Sequence, residues 1–465
     1  MAKISKVYRF LVYALPAVLF FSYYPVISLG ASESMNFEFS LPLIWLMVFD
    51  VVAFVIMVQK KILFKECKRM WVWLLFPIFA TLSVLWSMNF LRGLLTVGIL
   101  WLIYFAGYAF WNLRSLFSEF GFKEKFWKVF FVSSLVVCGW CFLQCILDLV
   151  GVSRDVSLMC AGCTYKMFGF PHPNGFAIEP QFMGNLLIAP VIASAWFALR
   201  NKKYWWLFFV FSVTIFLTFS RGAIYAFIVA MIFMTAMQGV RQKSWKICKT
   251  FLVIAVAFLF TLNLQGIMAQ VSPTNDTYGS GVAKVLNHLS LGIIDVRSGG
   301  EIVSEEKDVS TSGKAEGERD NEVEKEAVFD GYVAESTDTR MRLTGAAVEI
   351  WKKDFANMMV GVGLGGAGQA LYVNGLSPAP KEIVQNEYAS LLLETGLIGI
   401  VLLTLMIVLV VRVISKNAEV PMLLALVVAY AITLLFFSGL PNALQIYLLP
   451  ALFIVLCGRN SYRKR

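Results

Sequence analysis

Twelve stretches of near-continuous apolar sequence, each about 15–24 residues, recur from one end of this chain to the other. They lie at about 8–29, 39–59, 70–87, 93–111, 127–150, 176–198, 204–219, 222–239, 249–265, 397–415, 420–439 and 443–457. A run of that length, coiled as a helix, crosses the roughly 30 Å hydrocarbon layer of a bilayer. Lipid offers no hydrogen bonds, so every backbone group in such a run has to be satisfied within its own helix. The expectation is therefore an all-α, polytopic transmembrane bundle of about twelve helices. A soluble protein with twelve buried core helices is excluded by composition: with 58% hydrophobic and 15% charged residues, too little polar surface remains to cover such a core. The first run follows Lys3, Lys6 and Arg9. It is long and lacks a small-residue cleavage site, so it reads as a retained anchor rather than a secretory signal.

Basic residues set the orientation, because Lys and Arg in short loops stay on the cytoplasmic side. With the N-terminus inside, alternate loops read KKILFKECKR, NLRSLFSEFGFKEK, RNKK, VRQKSWKICK, VRVISKN and RNSYRKR, all basic. The intervening loops are poor in cations for their length. Both termini are thus expected in the cytoplasm and the long 266–383 loop outside it. The net charge of +10 follows from these inner loops and calls for no nucleic acid. Most of the 8 cysteines fall in or beside apolar runs, whereas Cys160 and Cys163 share an outward loop where either a disulfide or free thiols fit. Two cysteines do not fill a metal shell, so no metal is expected.

Three regions follow: an N-terminal transmembrane block of about nine helices (1–265), the loop (266–383) and a C-terminal block of about three helices (384–465). Within the loop, segment 301–338 holds thirteen acidic and four basic residues with few large apolar ones, so it cannot bury a core. After it, TRMRLTGAAVEIWKKDFANMMVG spaces apolar residues as an amphipathic helix does, which reads as a helix lying at the outer membrane surface.

Candidate chemistry concentrates on the outward side. Arg221, in LTFSRGAIYAF, occupies a tight turn between two apolar runs, where a cation is costly unless it meets an anion. Arg340 and Arg342 precede the amphipathic helix, and an arginine fork binds phosphate oxygens in pairs. Residues 361–368, GVGLGGAG, form a flexible turn with neither the Lys-Ser/Thr of a P-loop nor a preceding strand. His172, Asn174 and Glu179 stand at the mouth of the sixth run, and an ionisable group entering a membrane is a site candidate. Asp50, alone in the second run, is a thin case for ion coupling. Arg92 is a further outward cation.

Taken in order, SRG (220–222), an arginine ahead of a helix leading into GVGLG (Arg340 or Arg342 through Gly365), and QNEYASLLLETGLIG (385–399) resemble the O-antigen ligase and polymerase family. The resemblance runs from about Gly169 to Gly399. In the ligases the last motif begins with His, then Asn, Ser or Gln, then nine residues and Gly; here Gln385 stands for the His, while Asn386 and Gly396 keep the spacing. Glutamine takes no proton, so a base role at that position does not carry over. This departure favours polymerase over ligase.

The resemblance implies a membrane glycosyltransferase of GT-C-like architecture in the bacterial plasma (inner) membrane. It implies an undecaprenyl-diphosphate-linked glycan as donor, a second carrier-linked unit as acceptor, inversion at the anomeric carbon and no cofactor. A chain-length regulator protein is a candidate partner, and lipopolysaccharide, capsule or exopolysaccharide is the product class. Arg221 with Arg342 or Arg340 would grip the diphosphate. Gln385, Asn386 and Tyr388 would position the acceptor. Glu179 or Glu387, then His172, are the candidate bases. The competing class is a twelve-helix transporter or flippase, which the absence of matching halves and broken helix pairs disfavours.

Overall fold

The computed structural model describes residues 2–22, 25–32, 35–65, 71–150, 166–167, 170–239, 244–271, 285, 288–289, 339–380, 382–415, 417, 419–439 and 443–458. Cys160, Cys163 and the acidic segment 301–338 lie outside them. Among these residues the chain is all-α apart from two small hairpins. In chain order the described helices are α1 (Ala2–Leu19), α2 (Leu41–Gln59), α3 (Leu75–Ser83), α4 (Phe90–Asn112), α5 (Phe122–Leu149), α6 (Pro180–Ala198), α7 (Trp205–Leu217), α8 (Arg221–Gly239) and α9 (Ser244–Val271). They continue with α10 (339–352), α11 (Phe355–Val360), α12 (Ala367–Val373), α13 (Glu387–Ile414), α14 (Val420–Thr433) and α15 (Leu444–Leu456).

Seven of these are long and apolar enough to cross a bilayer: α2, α4, α5, α6, α8, α9 and α13. The remaining expected runs also fold as helix, but in shorter pieces such as 71–86, α14 and α15. The run at 8–29 is divided. α1 stops at Leu19, and Pro25–Ser32 (β1) pairs antiparallel with Met35–Ser40 (β2), with Ile27 opposite Phe39 and Leu29 opposite Phe37. Proline at position 25, with no N–H to give a helix, opens the first strand of this hairpin.

The core sits around α6, whose side chains are buried on nearly every face. A helix that is apolar all round belongs at a bundle centre. α5, α7, α8, α14 and α15 surround it with Phe130, Phe208, Phe211, Phe216, Phe227 and Phe453, all nearly fully buried. α13 is the opposite case: Val401, Leu405 and Val408 point outward, apolar yet exposed, as side chains facing lipid do.

α10 turns its apolar stripe to protein. Its apolar stripe, Leu343, Ala346, Ala347 and Ile350, is buried against Val362, Ala370, Leu371 and Leu393. Protein covers this stripe. The glycine-rich turn makes the docking close: Val362 N donates to Leu393 O (2.9 Å), Gly363 N to Glu394 O (3.0 Å) and Ser87 Oγ to Leu364 O (2.8 Å). α13 kinks to receive it, with Gly396 at φ 62°, and a Cβ on Gly396 would lie 2.5 Å from the Met359 carbonyl. The turn is thus a backbone-on-backbone latch between the loop element and the bundle.

Candidate functional site

Arg221 opens α8 after a turn that the local sequence constructs. α7 ends at Leu217, Thr218 and Ser220 are buried, and Phe219 takes a φ of 47°. A non-glycine residue in that region costs on the order of 1–3 kcal/mol and persists only where its surroundings enforce it. Ser220 Oγ accepts from Ala223 N (3.4 Å) and so caps α8. The glycines flanking this turn supply contact without bulk. A Cβ on Gly184 of α6 would lie 2.8 Å from Ala223 Cβ, and one on Gly222 would lie 3.0 Å from the Phe436 side chain. In SRG, therefore, the serine caps, the arginine projects and the glycine lets the turn seat against α14's end.

Arg340, near the start of the described part of α10, is the bridge. Its Nε donates to Gln385 Oε1 (2.7 Å) and its Nη2 to Gln181 Oε1 (3.0 Å). One guanidinium thereby joins α10, the first turn of α6 and the segment leading into α13. Arg221 lies near enough that the two positive charges act on each other. The N-termini of α6, α8 and α13 meet at this place, and each adds partial positive charge. Like charge gathered against low-dielectric walls favours a nearby anion, and the Glu179 carboxyl lies within electrostatic reach of Arg340.

Glu179 sits at the N-cap position of α6, but its side chain makes no cap bond. Burial pushes its carboxyl above the ordinary carboxylate range, and Arg340 pulls it partway back. His172, partly buried, completes the group from the loop before α6. Two members had no signal in the sequence. Gln181 is an ordinary amide until Arg340 reaches it. His288 belongs to a stretch without a motif, yet its ring is buried and bonded to the backbone of Phe219, where the charges of Arg221, His172 and Arg340 reach it. Burial and those charges push its imidazole down to about 3. Next to it, the Tyr225 hydroxyl donates to the Leu289 carbonyl.

The other expected residues stand elsewhere or serve the scaffold. Asn386 Oδ1 caps α13 by accepting from Ala389 N (3.1 Å). The Glu387 carboxylate accepts from Ser438 Oγ (2.7 Å) and Gly439 N (2.6 Å), and the Tyr388 hydroxyl donates to Ala431 O (2.7 Å). These bonds clamp QNEY onto the end of α14. Asn174 is buried in the turn before α6, accepting from Gln144 Nε2 (3.0 Å) and donating to Ala177 O (2.7 Å). Arg342 is exposed on α10. Arg92 lies beside Glu394, across the glycine latch. Asp50 is buried in α2. Among the described residues, no three His, Cys, Asp or Glu side chains are grouped to share a metal ion.

A family model described as O-antigen ligase matches residues 206–404. The match begins at α7 and contains all three motif stretches, whereas the part of the resemblance between Gly169 and α7 lies ahead of it. No curated protein matches the chain.

Proposed function

We propose, from the O-antigen ligase domain that residues 206–404 carry and from the cationic cluster within it, that this chain is a membrane glycosyltransferase polymerising lipid-linked glycan repeat units. The observation that carries the reading is Arg340, bonded to Gln181 and Gln385 and within electrostatic reach of Arg221. Two guanidiniums so held match a diphosphate, whose oxygens accept paired N–H donors.

The donor is a glycan on an undecaprenyl diphosphate, and the acceptor is a sugar hydroxyl of a second carrier-linked unit. The acceptor oxygen attacks the anomeric carbon, and a new C–O bond forms as the bond to the diphosphate oxygen breaks, with inversion. Negative charge grows on the departing diphosphate, and Arg221 and Arg340 stabilise it. Preorganised donors of this kind supply the largest share of many rate enhancements. The acceptor's proton goes to Glu179, whose burial raises its affinity for a proton. Glu387 fits that role less well, because its carboxylate already accepts two hydrogen bonds. Gln385 orients Arg340 and offers its amide N–H to a sugar hydroxyl.

The placement of basic residues supports a site on the outer face of the plasma membrane. Arg200, Lys203 and Lys246 gather at the C-terminal end of α6, away from the Glu179–Gln181 end. By the charge rule the former end is cytoplasmic, with both chain termini on that side. Lipid walls around α13 suit the carrier's tail.

Purified protein given synthetic carrier-linked repeat units tests the reading. A ladder of lengthening products is expected. Single transfer onto a lipid core would make it a ligase, and movement of the lipid across vesicles without extension would make it a transporter.

A further inference from the structure

His288 is one of only 2 histidines in the chain, and no motif marks it. Its neighbours give it two ties to the cationic cluster. The first is mechanical: the buried ring is hydrogen-bonded to the backbone of Phe219, the residue at φ 47° that sets the turn from which Arg221 projects. The Tyr225 hydroxyl, one turn into α8, holds the adjacent Leu289 carbonyl, so the same two-residue piece is fastened on both sides of Arg221. The second tie is electrostatic. Arg221 at the start of α8, Arg340 on α10 and His172 from the loop before α6 all act on the imidazole.

We propose that His288 is a positioning residue for Arg221 that also takes up a proton from solvent when a diphosphate occupies the space between Arg221 and Arg340. This inference rests on the anion-binding reading of that cluster and deepens it. Without an anion, burial first and then the charges of Arg221, His172 and Arg340 push the ring's pKa down to about 3. A bound diphosphate cancels much of that repulsion and places negative charge beside the ring, so the affinity of the ring for a proton rises. Linkage then fixes the sign. The group's pKa is low without ligand and higher with it, so anion affinity increases as pH falls through the ligand-bound value and levels off below the ligand-free value. Protonation strengthens the ring's hydrogen bond to Phe219 and tightens the turn on the loaded site.

Histidine-labelled full-length protein in detergent, probed with inorganic pyrophosphate, tests this, because only two imidazoles titrate and His172→Gln assigns them. The expected result is a His288 ring that stays neutral at pH 6 without pyrophosphate and moves toward the protonated chemical shift on saturation. Calorimetry in buffers of different ionisation heat is expected to show proton uptake by wild type exceeding that of His288→Gln. His288→Gln, which keeps an N–H donor but does not titrate, is expected to bind as wild type does at pH 8 and about fivefold more weakly at pH 6. His288→Ala, lacking the donor, is expected to bind more weakly at both. Pyrophosphate binding with equal proton uptake by wild type and His288→Gln would overturn the inference alone. Failure of wild type to bind pyrophosphate, with Arg221→Ala indistinguishable from it, would overturn the anion site and the inference together.

Discussion

The two ends of the helical bundle handle positive charge in opposite ways. At one end Arg200 has a carboxylate partner, Glu419, at 2.8 Å, lies over the Trp196 ring at 4.2 Å from its centroid, and shares Glu419 with the Trp196 indole N–H (2.6 Å). At the other end Arg340 is held by two neutral amide oxygens, with a second arginine and the Glu179 carboxyl within electrostatic reach. The first arrangement closes its own electrostatics and ties α6 to the start of α14. The second gathers two guanidiniums, two amides and the Glu179 carboxyl from separate elements in one place. A salt bridge between neighbouring elements stabilises a structure, whereas the second end, under the proposed function, is the one that meets a diphosphate.

Breaking the cluster should give the largest effects. Arg221→Ala and Arg340→Ala, each assayed for glycan extension at equal protein level, should lose about 100-fold or more, the scale for removing a donor that meets charge in the transition state. Arg342→Ala, at an exposed position, should lose less than about threefold, since surface charge contributes little. Equal losses for Arg340 and Arg342 would erase the distinction between them. Gly396→Ala comes next: it puts a Cβ 2.5 Å from the Met359 carbonyl at a positive φ, and thermal unfolding in detergent should show a destabilisation of about 2 kcal/mol or more.

A smaller effect sharpens the contrast from the opposite end. Arg200→Ala should destabilise by about 1 kcal/mol or less, because Arg200 is partly exposed, and should leave the extension rate per folded molecule unchanged. The smallest is a pH effect at Glu179. Its carboxyl is raised in the folded protein, so the folded state binds more protons there than the unfolded chain does. Stability contributed at that group is present below the ordinary glutamate value and is lost as pH rises through the folded one. The melting temperature of wild type should fall relative to that of Glu179→Gln as pH increases through that window. Parallel curves would remove Glu179 from the buried cluster.

Much of this was legible before any coordinates. Length and apolarity of the runs specified helices because lipid leaves the backbone no other partner. SRG, the arginine ahead of a helix and QNEY pointed to the end where Arg221, Arg340 and Gln385 converge. What the sequence could not supply was partnership. Arg340 and Arg342 are equivalent on paper, two residues apart; on a helix that spacing turns them to different faces, and only the burial of Leu343, Ala347 and Ile350 decides which one points to α6. Gln181 and His288 carry no pattern, because an amide or imidazole gains its role from what a distant segment brings to it.

The sequence by itself determined an apolar helical chain with polar connecting segments and a set of residue types able to hold phosphate, since hydrophobicity and charge are properties of each residue. Tertiary structure decided which cations meet, which carboxylate is buried among them, and that the glycine-rich turn is a latch. Those outcomes depend on contacts between residues far apart in the chain, such as Arg340 with Gln181, and contacts of that kind arise only when the helices pack.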